Sequence, residues 1–263
     1  MKYIEIGENR IPRLGLGTWQ LKDEDCIESV KKAIENGYTH IDTAQVYGNE
    51  RQVGKGIDQA EVEREDIWLT TKLWRDNLEP GRIRESMEES LDKLGTDYVD
   101  LVLIHWPFPE LELEKAIEKM DELVDDGLAK NIGVSNFTAE QMKKADEFSR
   151  HGILTNQVEY HPFLAQDEIM DVCKRNDIML TAYSPLARGD VIDNPTLEEI
   201  GDRHGKSAVQ VSLRWLIQQN KVSAIPKATS EEHIRQNMDI FDFELSSKEM
   251  ETISKLSRGD RKV

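Results

Sequence analysis

Between Leu14 and Lys227 eight apolar runs of strand length are separated by seven longer segments of helical periodicity. The strand-length runs are 14–19, 40–43, 67–73, 99–105, 129–136, 154–160, 177–184 and 222–227. Several, such as YVDLVLIHWP at 98–107, are apolar almost throughout, the pattern of strands covered on both faces. The helical segments are 23–36, 49–59, 81–94, 111–126, 138–147, 167–176 and 195–219. In the first of these Ile27, Val30 and Ile34 recur at helical spacing, and Gly37, Gly95 and Gly127 stand where three of the helices should end. Eight such units predict an α/β fold, a closed (β/α)8 TIM barrel forming a single domain over residues 1–263. An open doubly wound sheet is the competing arrangement, but its Gly-rich dinucleotide fingerprint is missing. GLGTWQ at 15–20 has Gln20 in the third glycine position, and GKG at 54–56 follows no strand. The opening YIEIGENRIPRLG alternates and turns through 7–9, which predicts an N-terminal β-hairpin closing the barrel bottom.

Charge narrows the possible partners. Lys and Arg number 34 against 51 Asp and Glu, a net of −17, so nucleic acid and anionic membrane surfaces should repel the chain. The acids are spread through amphipathic segments as a solvated outer face, and their excess leaves a high-salt or hot habitat open. No apolar run reaches transmembrane length, and MKYIEIGENR has no secretory apolar core. Cys26 and Cys173 are far apart and read as buried free thiols. The expectation is a cytoplasmic monomer that meets a small molecule and engages neither nucleic acid nor membrane.

Barrel enzymes carry their chemistry where strands end. Asp42 ends the second run, Lys72 the third and His105 the fourth, and Tyr47 follows Asp42 in DTAQVYGNE. Successive strands are neighbours in a barrel, so these four can share its mouth. A phenol near its usual pKa of about 10 is a weak acid at neutral pH, and an adjacent ammonium favours the phenolate. Lys72 can supply that charge, Asp42 can hold Lys72 ionised, and His105 can offer an N–H to a carbonyl. Taken singly, each has a blander reading: a structural ion pair, a core histidine, a packed tyrosine. Together they describe proton donation to a carbonyl oxygen, with Lys72 lowering the Tyr47 pKa.

DTAQVYGNE, LGTDYVDLVLIHWP, IGVSNF, NQVEYHP, AYSPL and IPK stand in the order and spacing of the aldo-keto reductase superfamily, which the chain resembles from about Leu14 to Leu256. Within it the chain resembles the short microbial aldehyde and 2,5-diketogluconate reductases. It implies carbonyl reduction with a nicotinamide cofactor, usually NADP(H), and a catalytic tetrad of Asp42, Tyr47, Lys72 and His105. It also implies that Ser135, Asn136 and Gln157 meet the carboxamide, that Tyr183 lies under the nicotinamide ring, and that Ser184 and Leu186 follow the pyrophosphate. Thr18 and Trp19 join this cofactor set. Lys227 matches the lysine for the 2′-phosphate, with Ala228, Thr229, His233, Gln236 and Asn237 near the adenosine. The family usually has Ser and Arg where Ala228 and His233 stand, which leaves use of NAD(H) open. Arg235 is no substitute, because two residues along a helix is nearly the opposite face.

For the substrate, the resemblance places Trp19, Trp74 and Trp106 around the pocket with Tyr47 and His105. The short WPFPE segment and the ending LSRGDRKV predict an open, permissive pocket for small aldehydes, 2-oxoaldehydes or keto-sugars. The competing readings are a non-catalytic nicotinamide-binding auxiliary subunit on the same fold and a metal-dependent barrel hydrolase. The complete tetrad speaks against the first. The second lacks any H-E-x-x-H or His-x-His pattern among the six histidines, so no metal is expected.

Overall fold

The computed structural model describes residues 2–263. β1 (Tyr3–Ile6) and β2 (Asn9–Pro12) form an antiparallel hairpin turning through Gly7, whose φ of 56° suits a residue without Cβ. Then come β3 (Leu16–Gly17), α1 (Asp23–Glu35), β4 (His40–Asp42), α2 (Glu50–Asp58), β5 (Trp68–Leu73), α3 (Ile83–Leu94) and β6 (Leu101–Ile104). They are followed by α4 (Leu113–Asp125), β7 (Ile132–Ser135), α5 (Ala139–Phe148), β8 (Thr155–Glu159), α6 (Asp167–Asn176) and β9 (Met179–Tyr183). The order ends with α7 (Pro195–His204), α8 (Ala208–Gln218), β10 (Val222–Ala224), α9 (Glu231–Met238) and α10 (Ser247–Ser254).

Strands β3 to β10 pair in parallel in chain order. The sheet closes on itself through the seam between its ends: Leu14 bridges Ala224, Gly15 N donates to Ala224 O at 2.9 Å, and Gly17 N to Pro226 O at 3.0 Å. Closure leaves no exposed edge. The hairpin seats at the N-terminal ends of the strands. Its Ile4 and Ile11 pack with Trp68, Leu101, Leu154 and Met179, each at or beside the first residue of its strand. The floor is therefore apolar and sealed, and chemistry is confined to the opposite mouth.

Two differences from the sequence reading concern the helix at 195–219 and the place of Lys72. The single segment 195–219 is two helices, because Gly205 turns left-handed at φ 66° and Ser207 with Gln210 forms a capping box that starts α8. Lys72 does not end β5 but sits one residue inside it, which buries its side chain in the barrel.

Candidate active site

Alternation along the strands selects the side chains that meet. In β5, Trp68 faces the hairpin plug and Thr70 faces His40, while Leu69 and Leu73 join the outer core and Thr71 donates to Glu50 of α2 at 2.7 Å. Lys72 shares the inward parity of Trp68 and Thr70. Asp42, two residues after His40, does the same on β4.

The two meet as a buried ion pair. Lys72 Nζ donates to Asp42 Oδ1 at 2.5 Å, to the Thr43 carbonyl at 2.8 Å and to Tyr47 Oη at 3.4 Å. All three ammonium protons are used. Asp42 accepts on its other oxygen from Gln157 Nε2 at 2.7 Å. Burying both charges is costly unless they are hydrogen-bonded, and here each ammonium proton and each carboxylate oxygen has a partner. Gln157 reaches Asp42 from β8, four strands away and so across the barrel. No spacing along the chain signals that contact; only closure of the sheet creates it.

The loop carrying Tyr47 is held by its own polar residues. Thr43 Oγ1 donates to Asn49 Oδ1, and Asn49 Nδ2 donates to the carbonyls of Thr18 and Leu21. Gln45 donates to the Ser86 carbonyl and to Ser90, and accepts from Trp74 N and Asn77 Nδ2. Gln45 to Tyr47 form one 3-10 turn that Gly48 ends at φ 68°. The turn folds Tyr47 back over Lys72. Gln45 and Asn49 went unassigned in the sequence although DTAQVYGNE contains both; two carboxamides inside a loop motif were the available signal.

Burial pushes the Tyr47 phenol above its ordinary pKa; Lys72 pulls it down, but Asp42 pushes it up again. The net direction is opposite to the lowering expected from Lys72 alone, because burial, the largest effect, and the Asp42 carboxylate together outweigh the ammonium. Burial works against the Lys72 ammonium too, yet attraction to Asp42 and Tyr47 outweighs it and lifts the pKa above the usual lysine value. Burial, aided by Lys72, pulls His105 down to about 3, so its ring is neutral. Its Nδ1 is buried without a partner, which leaves Nε2 as the nitrogen turned to the cavity. A proton on Nε2 would find an acceptor in a carbonyl bound there. The His105 ring stands edge-on to Tyr47 and Trp74, with centroids 5.6 and 5.4 Å away.

Above this group opens a cavity of about 650 Å³. Trp19, Trp74, Trp106, Tyr47 and His105 line it, as do Ser135, Asn136, Gln157, Tyr183, Ser184, Leu186 and Lys227. Asn136, held at φ 64°, accepts from Tyr183 Oη at 2.8 Å and donates to the His105 carbonyl at 3.1 Å. Ser135 donates to the Gln157 carbonyl. These bonds fix the Tyr183 ring in the wall.

Thr18 is placed differently from its expected cofactor role. It is fully buried, and its hydroxyl donates to the Asp42 carbonyl rather than reaching the cavity. Ala228 and Asn237 are buried outside the cavity wall, whereas Thr229, His233 and Gln236 are exposed beyond it. Ser230 caps α9 by accepting from His233 N. Arg235 donates to Asn36 Oδ1 at 3.0 Å, away from Lys227, as its helical position requires.

Val46, Arg188 and Val263 also line the cavity and were not anticipated. Arg188 lies 5.3 Å over the Trp19 ring, joining the segment after β9 to the one after β3. Val263 returns to the barrel mouth, so the ending LSRGDRKV contributes to the wall of the pocket.

The donor set fits a dinucleotide. Arg188 and Lys227 are the side-chain cations of the cavity wall, and Asp42, the one side-chain carboxylate among the described residues that line it, is already paired. In a chain of net −17 that wall is locally positive, as a diphosphate requires. Tyr183 offers a ring face, and Gln157 Oε1 accepts no bond from the described residues.

Comparison with known proteins agrees with this geometry. The model of the Aldo/keto reductase family matches residues 13–258. The chain is 41% identical to the glyoxal reductase of Bacillus subtilis over 252 residues, covering 95% of this chain and 91% of that protein. It is 39% identical to the methylglyoxal reductase DkgA of Escherichia coli over 256 residues, covering 96% and 92%. A crystal structure of a putative 2,5-diketo-D-gluconic acid reductase B superposes with a TM-score of 0.98 at 41% identity, covering 100% of this chain and 94% of the other.

Proposed function

Because the chain belongs to the aldo/keto reductase family, we propose that it reduces aldehydes and ketones to alcohols with Tyr47 as proton donor, using NADP(H) in preference to NAD(H). The reading rests on one observation: a single buried ammonium bonds both Asp42 Oδ1 and Tyr47 Oη beneath an aromatic cavity. Tyr183 would carry the nicotinamide ring, Ser135, Asn136 and Gln157 its carboxamide end, Ser184, Leu186 and Arg188 the diphosphate, and Lys227 the 2′-phosphate. Bound there, the cofactor supplies hydride to the carbonyl carbon.

The remaining work falls to the protein. His105 Nε2–H orients the carbonyl oxygen, and neutral imidazole donates without adding a second charge beside Lys72. Tyr47 gives the proton. Its raised pKa keeps it loaded at neutral pH, and the nearby ammonium acts as the proton departs, stabilising the phenolate that forms. Asp42 and Gln157 hold the ammonium in place. Trp19, Trp74 and Trp106 suit small apolar or compact carbonyl compounds, and relatives named glyoxal and methylglyoxal reductases favour 2-oxoaldehydes among them. The chain would work as a single-domain monomer in the cytoplasm. Cys26 and Cys173, both buried and free with thiols pushed up to about 12, suit a reducing setting.

Oxidation of NADPH and of NADH, followed separately against a panel of carbonyl compounds, tests the reading. Tyr47→Phe should lower turnover by at least about a hundredfold while cofactor affinity changes less than about twofold. Equal loss of both would make Tyr47 structural, and a preference for one bulky ketone would overturn the substrate class.

A further inference from the structure

Glu159 and His161, in NQVEYHP, have no part in the chemistry above, yet both are wholly buried at the barrel mouth. Glu159 is the last residue of β8, facing Tyr183 in the strand register. Phe163 N donates to His161 Nδ1 at 3.3 Å, so the ring proton is on Nε2, which donates to Glu159 Oε1 at 3.0 Å. The same carboxylate accepts two backbone amides from far along the chain: Lys262 N on Oε1 at 2.6 Å and Val263 N on Oε2 at 2.9 Å.

These bonds end a strap. Ser257 accepts from Ala165 N, and Arg258 N and Asp260 N both donate to the Phe163 carbonyl. The Arg258 guanidinium lies 4.6 Å over the Phe163 ring. Lys262 Nζ pairs with Asp190, beyond β9, at 2.6 Å. Val263 then forms part of the cavity wall. The strap crosses the β8–β9 side of the mouth, next to Gln157 and Tyr183, and β10 with Lys227 lies further round.

We propose that Glu159 is a positioning residue: its carboxylate holds residues 257–263 as a wall of the carbonyl end of the cavity. Two acceptor oxygens suit three N–H donors, and a carboxamide does not. In Glu159→Gln one oxygen becomes an NH2 that must face an N–H, from Val263 or from the Lys262–His161 pair, so one attachment is lost. The effect is expected at the carbonyl end because Val263, which the carboxylate holds, lines the cavity shared by Trp19, Trp74 and Trp106.

The kinetic arm of the test depends on the reductase reading; the proteolytic arm does not. Three variants of the full chain separate the contributions. Glu159→Gln loses the acceptor, Lys262→Pro loses the amide proton and the ammonium, and Lys262→Ala loses only the ammonium. Lys262 lies in the strap, outside the barrel core, so its variants do not endanger folding. Glu159→Gln and Lys262→Pro should each raise the KM for methylglyoxal by at least about fivefold, with kcat and NADPH affinity within about twofold. Lys262→Ala should stay within about twofold in KM. Trypsin should cut after Arg258 at least about tenfold faster in Glu159→Gln than in the unaltered protein. An unchanged cleavage rate overturns the proposal, as does a Lys262→Ala effect equal to that of Lys262→Pro, or a loss in kcat at constant KM. If the unaltered protein reduces no carbonyl, the reductase reading falls and the trypsin result alone decides whether Glu159 holds the strap.

Discussion

Lys72→Met separates support of the fold by the ammonium from the action on the phenolate proposed for it. The substitution keeps most of the volume but leaves Asp42, 1% exposed, as a buried carboxylate held only by Gln157. Breaking a buried pair in this way costs about 3–5 kcal/mol, which for a chain of this size lowers Tm by roughly 10 °C. Adding Asp42→Asn removes the stranded charge and should restore most of that loss. Activity should not follow stability. At the 3.4 Å between Nζ and Oη, attraction of the ammonium for a forming phenolate is about 5 kcal/mol at an effective dielectric of about 20. Asp42 opposes it; if the carboxylate cancels half, the pair contributes about 2.5 kcal/mol, or close to two decades in rate. The single variant, which loses the attraction and keeps the repulsion, should fall by about 5 kcal/mol, between three and four decades. The double variant should remain about a hundredfold slow while melting near the unaltered protein. Thermal melts and single-turnover reduction at saturating NADPH measure both quantities. A double variant that regains full turnover along with its Tm would refute a chemical role for the ammonium.

Lys227→Met should weaken NADPH binding by about tenfold or more and leave NADH nearly unaffected, read by fluorescence titration; equal weakening would remove Lys227 from the 2′-phosphate. Burial holds His40 at about 4 and His105 at about 3, against 6.5 in an unfolded chain. Their contribution to stability is complete above about pH 6.5 and declines as pH falls toward 4, because the unfolded chain takes up those two protons first. Urea unfolding should show a slope of about 2.7 kcal/mol per pH unit from these groups, roughly halved in His40→Asn. Gly17→Ala would bring a Cβ to 2.7 Å from the Ile225 carbonyl at the closing seam, so it should destabilise by about 1–3 kcal/mol, measured as a lower urea midpoint.

The barrel was legible because its evidence is local and repeated. Hydrophobic periodicity marked each strand and helix, and Gly37, Gly95 and Gly127 all take the left-handed conformation expected after a helix. Asp42, Lys72 and His105 could be grouped because neighbouring strands in a barrel are also successive in the chain. Lys72 lowers the Tyr47 pKa as the sequence leads one to expect, yet the net direction is upward for a reason no motif contains. Its direction depends on burial and on Asp42 as well as on Lys72, and those opposing effects must be weighed at real distances.

The amino-acid order alone settles the strand count and the parity that turns Asp42 and Lys72 to one side, and it groups Asp42, Tyr47, Lys72 and His105 at one mouth, because each follows from spacing along one chain segment or two adjacent ones. Tertiary structure alone brings Gln157 across the barrel to Asp42, lays Arg188 over Trp19, and returns residues 262–263 to Glu159. Those contacts join segments 115, 169 and 103 or more residues apart. Only closure of the sheet sets such distances, since a chain carries no local record of what faces it from the opposite wall.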